Sequence, residues 1–399
     1  MARGLIIAAP NSGAGKTTIT LGLISALTSA GQKVRPFKTG PDYIDPTYLS
    51  AAAGAPCANL DPWAMRRETI SRLIGGVKPD EVAIVEGVMG LHDGPGSTAA
   101  LSRISGWPII LVVDASKSAQ TAAAVAEGLV LRDPDLAISG VIFNRVASKR
   151  HEALIREALH SDIPSWFLPP EDSLVLPSRH LGLHMADENS DLNRFLLKAS
   201  EWANPLVETS HLANESVLKP ETPMTFSSIG HPDLGLCFSY PHMQVPEQSI
   251  FLPGGYPELY LDKIKSDQHF LPNLRQAAEA GVPIYGECGG FMVLGEAIID
   301  AQGVRHQMAG LLPLVTTFAK KKRHLGYREI RALTNFSLGS EGEIWRGHEF
   351  HYTRIEWQGE AEALFEVNDA YGSSQGLQGL KVGTVAGSYL HLIDIYSSS

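Results

Sequence analysis

Two stretches of this sequence carry residue types at spacings that can do chemistry. The first is Ala8-Ala9-Pro10-Asn11-Ser12-Gly13-Ala14-Gly15-Lys16-Thr17-Thr18. Glycines let backbone N–H groups converge on phosphate oxygens, a helix starting there adds its positive dipole end, and the lysine neutralises β- and γ-phosphates. Gly13, Gly15, Lys16, Thr17 and Thr18 are therefore candidate nucleotide-binding residues, and the Thr17 hydroxyl is a candidate Mg²⁺ ligand. The strict pattern has Gly where this chain has Pro10, so the loop is a variant form. The second stretch is Pro283-Ile284-Tyr285-Gly286-Glu287-Cys288-Gly289-Gly290-Phe291-Met292. It reads as strand, tight turn and helix with Cys288 at the turn, the logic of a nucleophile elbow. A free thiol is only a few per cent ionised at neutral pH, so a nucleophilic Cys288 needs a base. His391, in Gly387-Ser388-Tyr389-Leu390-His391-Leu392, is a candidate. His348 and His351 are rivals, and spacing alone does not choose among them. An oxyanion hole can come from the Gly289 N–H and from the turn Pro253-Gly254-Gly255. Cys57 and Cys237 read as small buried hydrophobes.

Both stretches need a scaffold that holds turns at the ends of strands. The first half alternates short, nearly all-apolar runs with helical patterns. Strands are expected over 5–9, 33–37, 82–85, 109–113 and 141–143, with an edge strand over 163–168. Helices are expected over 16–30, 118–131 and 149–159. That alternation indicates a parallel sheet covered on both faces, in which ligands bind beyond the carboxyl ends of the strands. Asp45 follows the second strand and Glu86 the third, so with Thr17 they are the expected Mg²⁺ ligands. Asp42 and Asp93 serve equally well as turn caps.

The pattern fades after Leu197. The stretch 201–232, rich in Ser, Thr, Asn, Glu and Pro, reads as a linker between a domain over 1–200 and one over 233–399. The second domain repeats an α/β pattern: strands over 234–238, 250–252 and 283–286, and helices within 261–280 and over 289–297. Its last third is β-rich.

Composition narrows the classes further. Against 33 Lys and Arg stand 43 Asp and Glu, a net charge of −10, which excludes general affinity for nucleic acid or an anionic membrane surface. No apolar run reaches the roughly 18 residues of a membrane helix. The apolar start leads straight into the phosphate loop and reads as the first strand of a cytoplasmic domain rather than a signal peptide. Three scattered cysteines fit a reducing compartment.

Taken together, the motifs resemble the cobyrinic acid and hydrogenobyrinic acid a,c-diamide synthases, glutamine-dependent amidoligases of corrin biosynthesis. The resemblance rests on Ser12-Gly13-Ala14-Gly15-Lys16-Thr17-Thr18, Pro177-Ser178-Arg179-His180-Leu181-Gly182-Leu183 and His324-Leu325-Gly326-Tyr327-Arg328. It also rests on segments 38–46, 85–90, 253–258, 285–292, 347–352 and 387–392, all in family order. It implies an α/β architecture: a P-loop, dethiobiotin synthetase-like parallel-sheet domain, then a class I glutamine amidotransferase-like domain. It implies that His391 is the base and that Asn144 contacts the nucleotide base. It implies ATP as co-substrate, Mg²⁺ as cofactor, and a corrin acid and glutamine as the other small-molecule partners; the sequence is compatible with a homodimer and does not fix the oligomeric state. Two departures stand out. Class I amidotransferases place a Glu two residues after the catalytic His; here that residue is Ile393, which leaves a Cys–His dyad. The stretch 234–250 is too short for the opening strand–helix unit, since a parallel crossover needs a dozen or more residues.

Chemically, ATP would turn a carboxylate into an acyl phosphate, while Cys288 attacks glutamine, forms a thioester and releases ammonia. Arg328 and Arg346 are candidate contacts for corrin carboxylates. Two alternatives remain: an ammonia-only amidoligase, or a non-catalytic P-loop ATPase scaffold with a degenerate glutaminase domain.

Overall fold

The computed structural model describes residues 2–179, 182–218, 232–240, 242–243, 245–319 and 321–396. The chain forms two compact units, 1–63 with 67–224, and 64–66 with 225–399.

The first unit is built on β1 (Arg3–Ala8), α1 (Lys16–Ser29), β2 (Lys33–Thr39), α2 (Asp45–Ala53), β3 (Ala58–Leu60), α3 (Arg67–Gly75) and β4 (Glu81–Glu86). It continues through α4 (Thr98–Ser105), β5 (Ile109–Asp114), α5 (Gln120–Arg132), β6 (Ile138–Asn144), α6 (Lys149–Ala158) and β7 (Ser165–Phe167). The sheet order is β3-β2-β4-β1-β5-β6-β7, parallel throughout. The apolar strand runs anticipate this: Leu5, Ile6, Ile7, Ile84, Val85, Ile110 and Leu111 are all completely buried. Strand β1 lies between β4 and β5, where the strand order reverses, so the loop after it opens at the switch point of the sheet. Ser97 caps α4 by accepting the Ala100 N–H, a contact worth about 1 kcal/mol.

The described part of the expected linker is structured. After the short pair β8 (Ser178–Arg179) and β9 (Gly182–Leu183), α7 (Leu192–Ala203) runs into a 3₁₀ helix over Asn204–Leu212. Strand β10 (Asn214–Glu215) then pairs antiparallel with β1. Polar composition misled here. Phe195, Ala199, Ala203 and Leu206 form a narrow apolar stripe, and Ala199 and Ala203 are small enough for α7 to lie on Gly22 of α1. Residues 219–231 of that linker, and His180 and Leu181 of the 177–183 segment, lie outside the described residues.

The second unit opens with β11 (Leu236–Phe238), β12 (Ile250–Leu252), β13 (Gly254–Gly255), α8 (Leu261–Ser266), α9 (Phe270–Glu279), β14 (Ile284–Glu287) and α10 (Gly289–Leu294). The single helix expected within 261–280 is two, because Asp267 Oδ1 accepts the N–H groups of His269 and Phe270 and starts a new helix. Then follow β15 (Ala297–Ile299), β16 (Arg305–Gln307), β17 (Leu314–Thr317), β18 (His324–Ala332), β19 (Ile344–His351) and β20 (Arg354–Gln358). The chain closes with β21 (Glu362–Asp369), β22 (Ser374–Val382), β23 (Val385–Ser388) and β24 (Leu390–Ile395).

The main sheet runs β12-β14-β23-β22-β21-β18-β19-β24, with parallel pairing only at β12–β14–β23. Strand β11 stands outside it, pairing antiparallel with β13 instead of opening the parallel set. Strands β23 and β24 are one extended run that changes neighbours at Tyr389: before it the run pairs with β14 and β22, after it with β19. That switch carries His391 back toward the end of β14. The unit's core gathers Leu252, Ile284, Phe291, Leu294, Leu314 and Leu380, each worth about 1.5–3 kcal/mol in buried area.

Candidate active site

In the first unit the loop between β1 and α1 wraps as the glycine spacing requires. Gly13 (φ 83°) and Gly15 (φ 99°) take left-handed conformations that side chains rarely adopt. A Cβ on Gly15 would collide with Asn144 Nδ2, which donates to the Ala14 carbonyl at 2.9 Å. Asn144 thus braces the loop from the end of β6. Lys16 Nζ donates to the carbonyls of Met89 and Asn11, and burial followed by the charge of Lys38 holds its pKa below the ordinary lysine value. Thr18 follows Thr17 in the first turn of α1.

Beyond the loop, the carboxyl ends of β2 and β4 bring a charge cluster together. Thr17 Oγ1 donates to Glu86 Oε1 at 2.6 Å, and Lys38 Nζ lies 2.9 Å from Asp45 and 3.3 Å from Glu86. Burial pushes Glu86 up to about 7, while Asp45 and Glu86 outweigh the burial penalty on Lys38 and hold its ammonium charged. Asp42 is raised to about 6 by burial and by Asp45; its Oδ1 accepts the N–H groups of Ile44 and Asp45, and Asp93 Oδ2 accepts Gly90 N–H. Asp42 and Asp93 are therefore turn caps. Glu86 Oε2 is buried with no hydrogen-bond partner. An orphaned carboxylate oxygen beside a threonine hydroxyl and a second carboxylate is the hard oxygen donor set that Mg²⁺ takes, so Thr17, Asp45 and Glu86 fit that ion.

In the second unit Cys288 sits between β14 and α10 with φ 46° and ψ −102°, one of three non-glycine residues at positive φ among those described. Such a conformation costs on the order of 1–3 kcal/mol and marks functional turns. The turn is tight because glycines let it be. A Cβ on Gly290 would strike the Leu252 carbonyl, and one on Gly286 would sit 2.8 Å from Gly290. His391 is almost fully buried and packs with Cys288 under Gly254, while Cys288 Sγ donates to the Phe350 carbonyl at 3.6 Å. Gly254 leaves room for both: a Cβ there would overlap His391 Cε1 and stand 3.3 Å from Cys288 Cβ. A Cβ on Gly289 would stand 3.0 Å from Gly255 N, so the two backbone segments of the expected oxyanion hole lie side by side.

A residue that sequence reading passed over also faces His391. Glu287 Oε2 lies 3.5 Å from His391 Nδ1, and its Oε1 accepts the Leu392 N–H at 3.0 Å. Burial works against the His391 imidazolium, but the neighbouring Cys288 and Glu287 outweigh it and lift its pKa to about 9. Burial raises Glu287 as well. Asp394, one position beyond Ile393, is committed to Arg66 at 2.9 Å.

The rival histidines are placed elsewhere. His348 stands opposite His391 in the β19–β24 register, and burial followed by the His391 charge lowers it to about 3. His351 Nε2 bonds Glu349 at 2.9 Å, and its ring stacks on Tyr389 at 3.8 Å. Arg328, expected as a candidate for carboxylate substrates, is spent inside the fold on Glu349 at 2.8 Å, and Arg346 lies over the Tyr396 ring. The His324–Glu349–His351 cluster borders a cavity of about 510 Å³. Its two imidazoles are stacked parallel, 4.6 Å apart at 5°. One ion cannot lie in the planes of two stacked rings, and Arg328 holds Glu349 Oε2, so the cluster reads as a hydrogen-bonded brace rather than a metal centre.

A phosphate-loop unit joined to a strained cysteine elbow with its histidine defines a nucleotide-dependent protein carrying a thiol amidotransferase unit. Family models agree: residues 5–180 match the CobQ/CobB/MinD/ParA nucleotide binding domain and residues 231–395 the CobB/CobQ-like glutamine amidotransferase domain. Hydrogenobyrinate a,c-diamide synthase of Brucella anthropi is 42% identical, with 98% of each chain covered, and that of Brucella abortus biovar 1 is 41% identical at the same coverage. The Sinorhizobium sp. protein of that name is 40% identical over 98% of this chain and 99% of its own. The chain belongs to the hydrogenobyrinate a,c-diamide synthase family, glutamine-dependent amidoligases. The first alignments run over 440 positions against 399 residues here, so they contain gaps on this chain's side.

Proposed function

We propose that this chain amidates the a and c carboxylates of a corrin acid, hydrogenobyrinic acid foremost, using ATP and glutamine in cobalamin biosynthesis. A carboxylate is a poor acyl donor because its oxygen does not leave. In the first unit its oxygen attacks the γ-phosphorus of ATP, ADP departs, and an acyl phosphate forms. Lys16 and the loop amides at Gly13 and Gly15 neutralise charge on the transferred group, and Lys38 and Asp45 border the acid. Mg²⁺, held by Thr17, Asp45 and Glu86, would supply further neutralisation of phosphate charge. Asn144 keeps the loop in shape from the side where the nucleoside lies.

In the second unit the Cys288 sulfur attacks the glutamine amide carbon. The oxyanion is received by backbone N–H groups at Gly255 and Gly289. The imidazolium of His391 gives its proton to the leaving nitrogen as the C–N bond breaks, and the neutral ring then takes a proton from the water that opens the thioester. The ammonia displaces phosphate from the acyl phosphate.

The observation that carries this reading is Cys288 at φ 46°, packed with the buried His391 beneath Gly254. The test is amide formation and ADP release on hydrogenobyrinic acid with glutamine or an ammonium salt. Wild type uses both, and Cys288→Ala uses ammonium only. Wild type active with ammonium alone points to the ammonia-only enzyme; no product from either source leaves only the scaffold.

A further inference from the structure

The histidine of a thiol amidotransferase must present one ring nitrogen to sulfur and keep the other protonated and fixed. A carboxylate on the far nitrogen does this in triads generally. The position two residues after His391 cannot serve, since Ile393 is apolar and buried. The side chain that does reach the far nitrogen comes from the residue next to the nucleophile itself.

Along a strand, consecutive side chains point to opposite faces, so Glu287 and Cys288 should diverge. The turn at Cys288 breaks that alternation. Glu287 ends β14 inside the sheet, opposite Ser388 in register, and its carboxylate meets His391 Nδ1 at 3.5 Å. Cys288, thrown into positive φ, borders the same imidazole under Gly254. One strained peptide thus lets neighbouring residues address both sides of one ring. The carboxylate is tethered as well: Oε1 accepts the N–H of Leu392, the residue after His391, so acid and base are fixed on the same short piece of β24. Both side chains are 1–2% exposed, which leaves no solvent to reorient them. The 3.5 Å separation is of the loose kind that unliganded sites show and that tightens when charge develops.

We propose that Glu287 is the positioning residue of a Cys288–His391–Glu287 triad, holding His391 with its proton on Nδ1 and its Nε2 toward the sulfur. The inference rests on Cys288 being the nucleophile. Around the carboxylate, Tyr285 faces it from its own strand and His391 from β24. His348 stands across His391 on β19 and is held neutral at neutral pH.

The test compares Glu287→Gln, Glu287→Asp and Cys288→Ala in the full chain. Gln keeps an acceptor for Leu392 N–H but turns an NH₂ toward Nδ1, selecting the wrong tautomer. We expect glutamine-driven kcat to fall by about 10²–10⁴-fold in Glu287→Gln, with KM for glutamine nearly unchanged and ammonium-driven amidation within about twofold of wild type. The imidazole limb in the pH profile of Cys288 alkylation should move to lower pH, and Glu287→Asp should recover part of both losses. Wild-type glutaminase rate and an unmoved alkylation profile in Glu287→Gln overturn the proposal. So does a parallel loss of ammonium-driven activity in both Glu287 variants, the mark of a structural role. Glutamine-driven product from Cys288→Ala sinks the nucleophile reading itself and is told apart from either.

Discussion

Gly254→Ala isolates the geometry on which the glutaminase depends. Gly254 does not have positive φ, so alanine fits its backbone, and the whole effect is the added methyl. That methyl would overlap His391 Cε1, lie 3.1 Å from Nε2 and 3.3 Å from Cys288 Cβ. To regain ordinary contact the ring must shift by about 1 Å from its place beside Cys288, within a pocket that leaves it almost no exposure. Misplacing a catalytic group by about 1 Å costs on the order of 10²-fold in rate. Overpacking adds about 1–3 kcal/mol of destabilisation, a drop of several degrees in the unfolding midpoint of the second unit. The assay is amide formation on hydrogenobyrinic acid with saturating glutamine and, separately, with ammonium chloride. The glutamine rate should fall by about two orders of magnitude while the ammonium rate holds. A glutamine-driven rate within twofold of wild type would refute the claim that His391 works from beneath Gly254.

Two further outcomes follow from the same geometry. Gly15→Ala forces a side chain into φ 99° and onto Asn144, so nucleotide binding by calorimetry and both glutamine- and ammonium-driven amidation should be lost together, with about 1–3 kcal/mol of destabilisation. The folded-state pKa of His391, raised to about 9, lies above its unfolded value near 6.5. The stability it contributes is therefore fully present below about pH 6.5 and drains as pH rises through about 9. Denaturation midpoints of the second unit should decline over that window, and His391→Gln should flatten the decline.

Much of the fold could be read from the chain because its strands are almost wholly apolar: the runs at 5–9, 82–85, 109–113 and 141–143 appear as strands of the first sheet. The stretch 201–218 could not, because Ala199, Ala203 and Leu206 bury on α1 with little hydrophobic bulk, and composition saw only polar neighbours. Strands such as Glu362–Asp369 and Ser374–Val382 were hidden for a related reason: they are half exposed and rich in Gly, Gln and Glu. At the sites, the glycine-lysine-threonine run and the Gly-Glu-Cys-Gly-Gly turn announced themselves because chemistry fixes their spacing. Glu287 did not, although it stood inside the quoted motif. Strand alternation assigns it to the face opposite Cys288, and only the positive φ at Cys288 cancels that rule.

The most direct test of an acid energised by nucleotide before nitrogen reaches it is to follow the acid's own oxygen. Hydrogenobyrinic acid labelled with ¹⁸O in its a and c carboxylates, turned over with ATP and glutamine, should deliver one labelled oxygen to inorganic phosphate for every amide formed. Amide formation with unlabelled phosphate would contradict the acyl phosphate and the role assigned to the Lys16 loop.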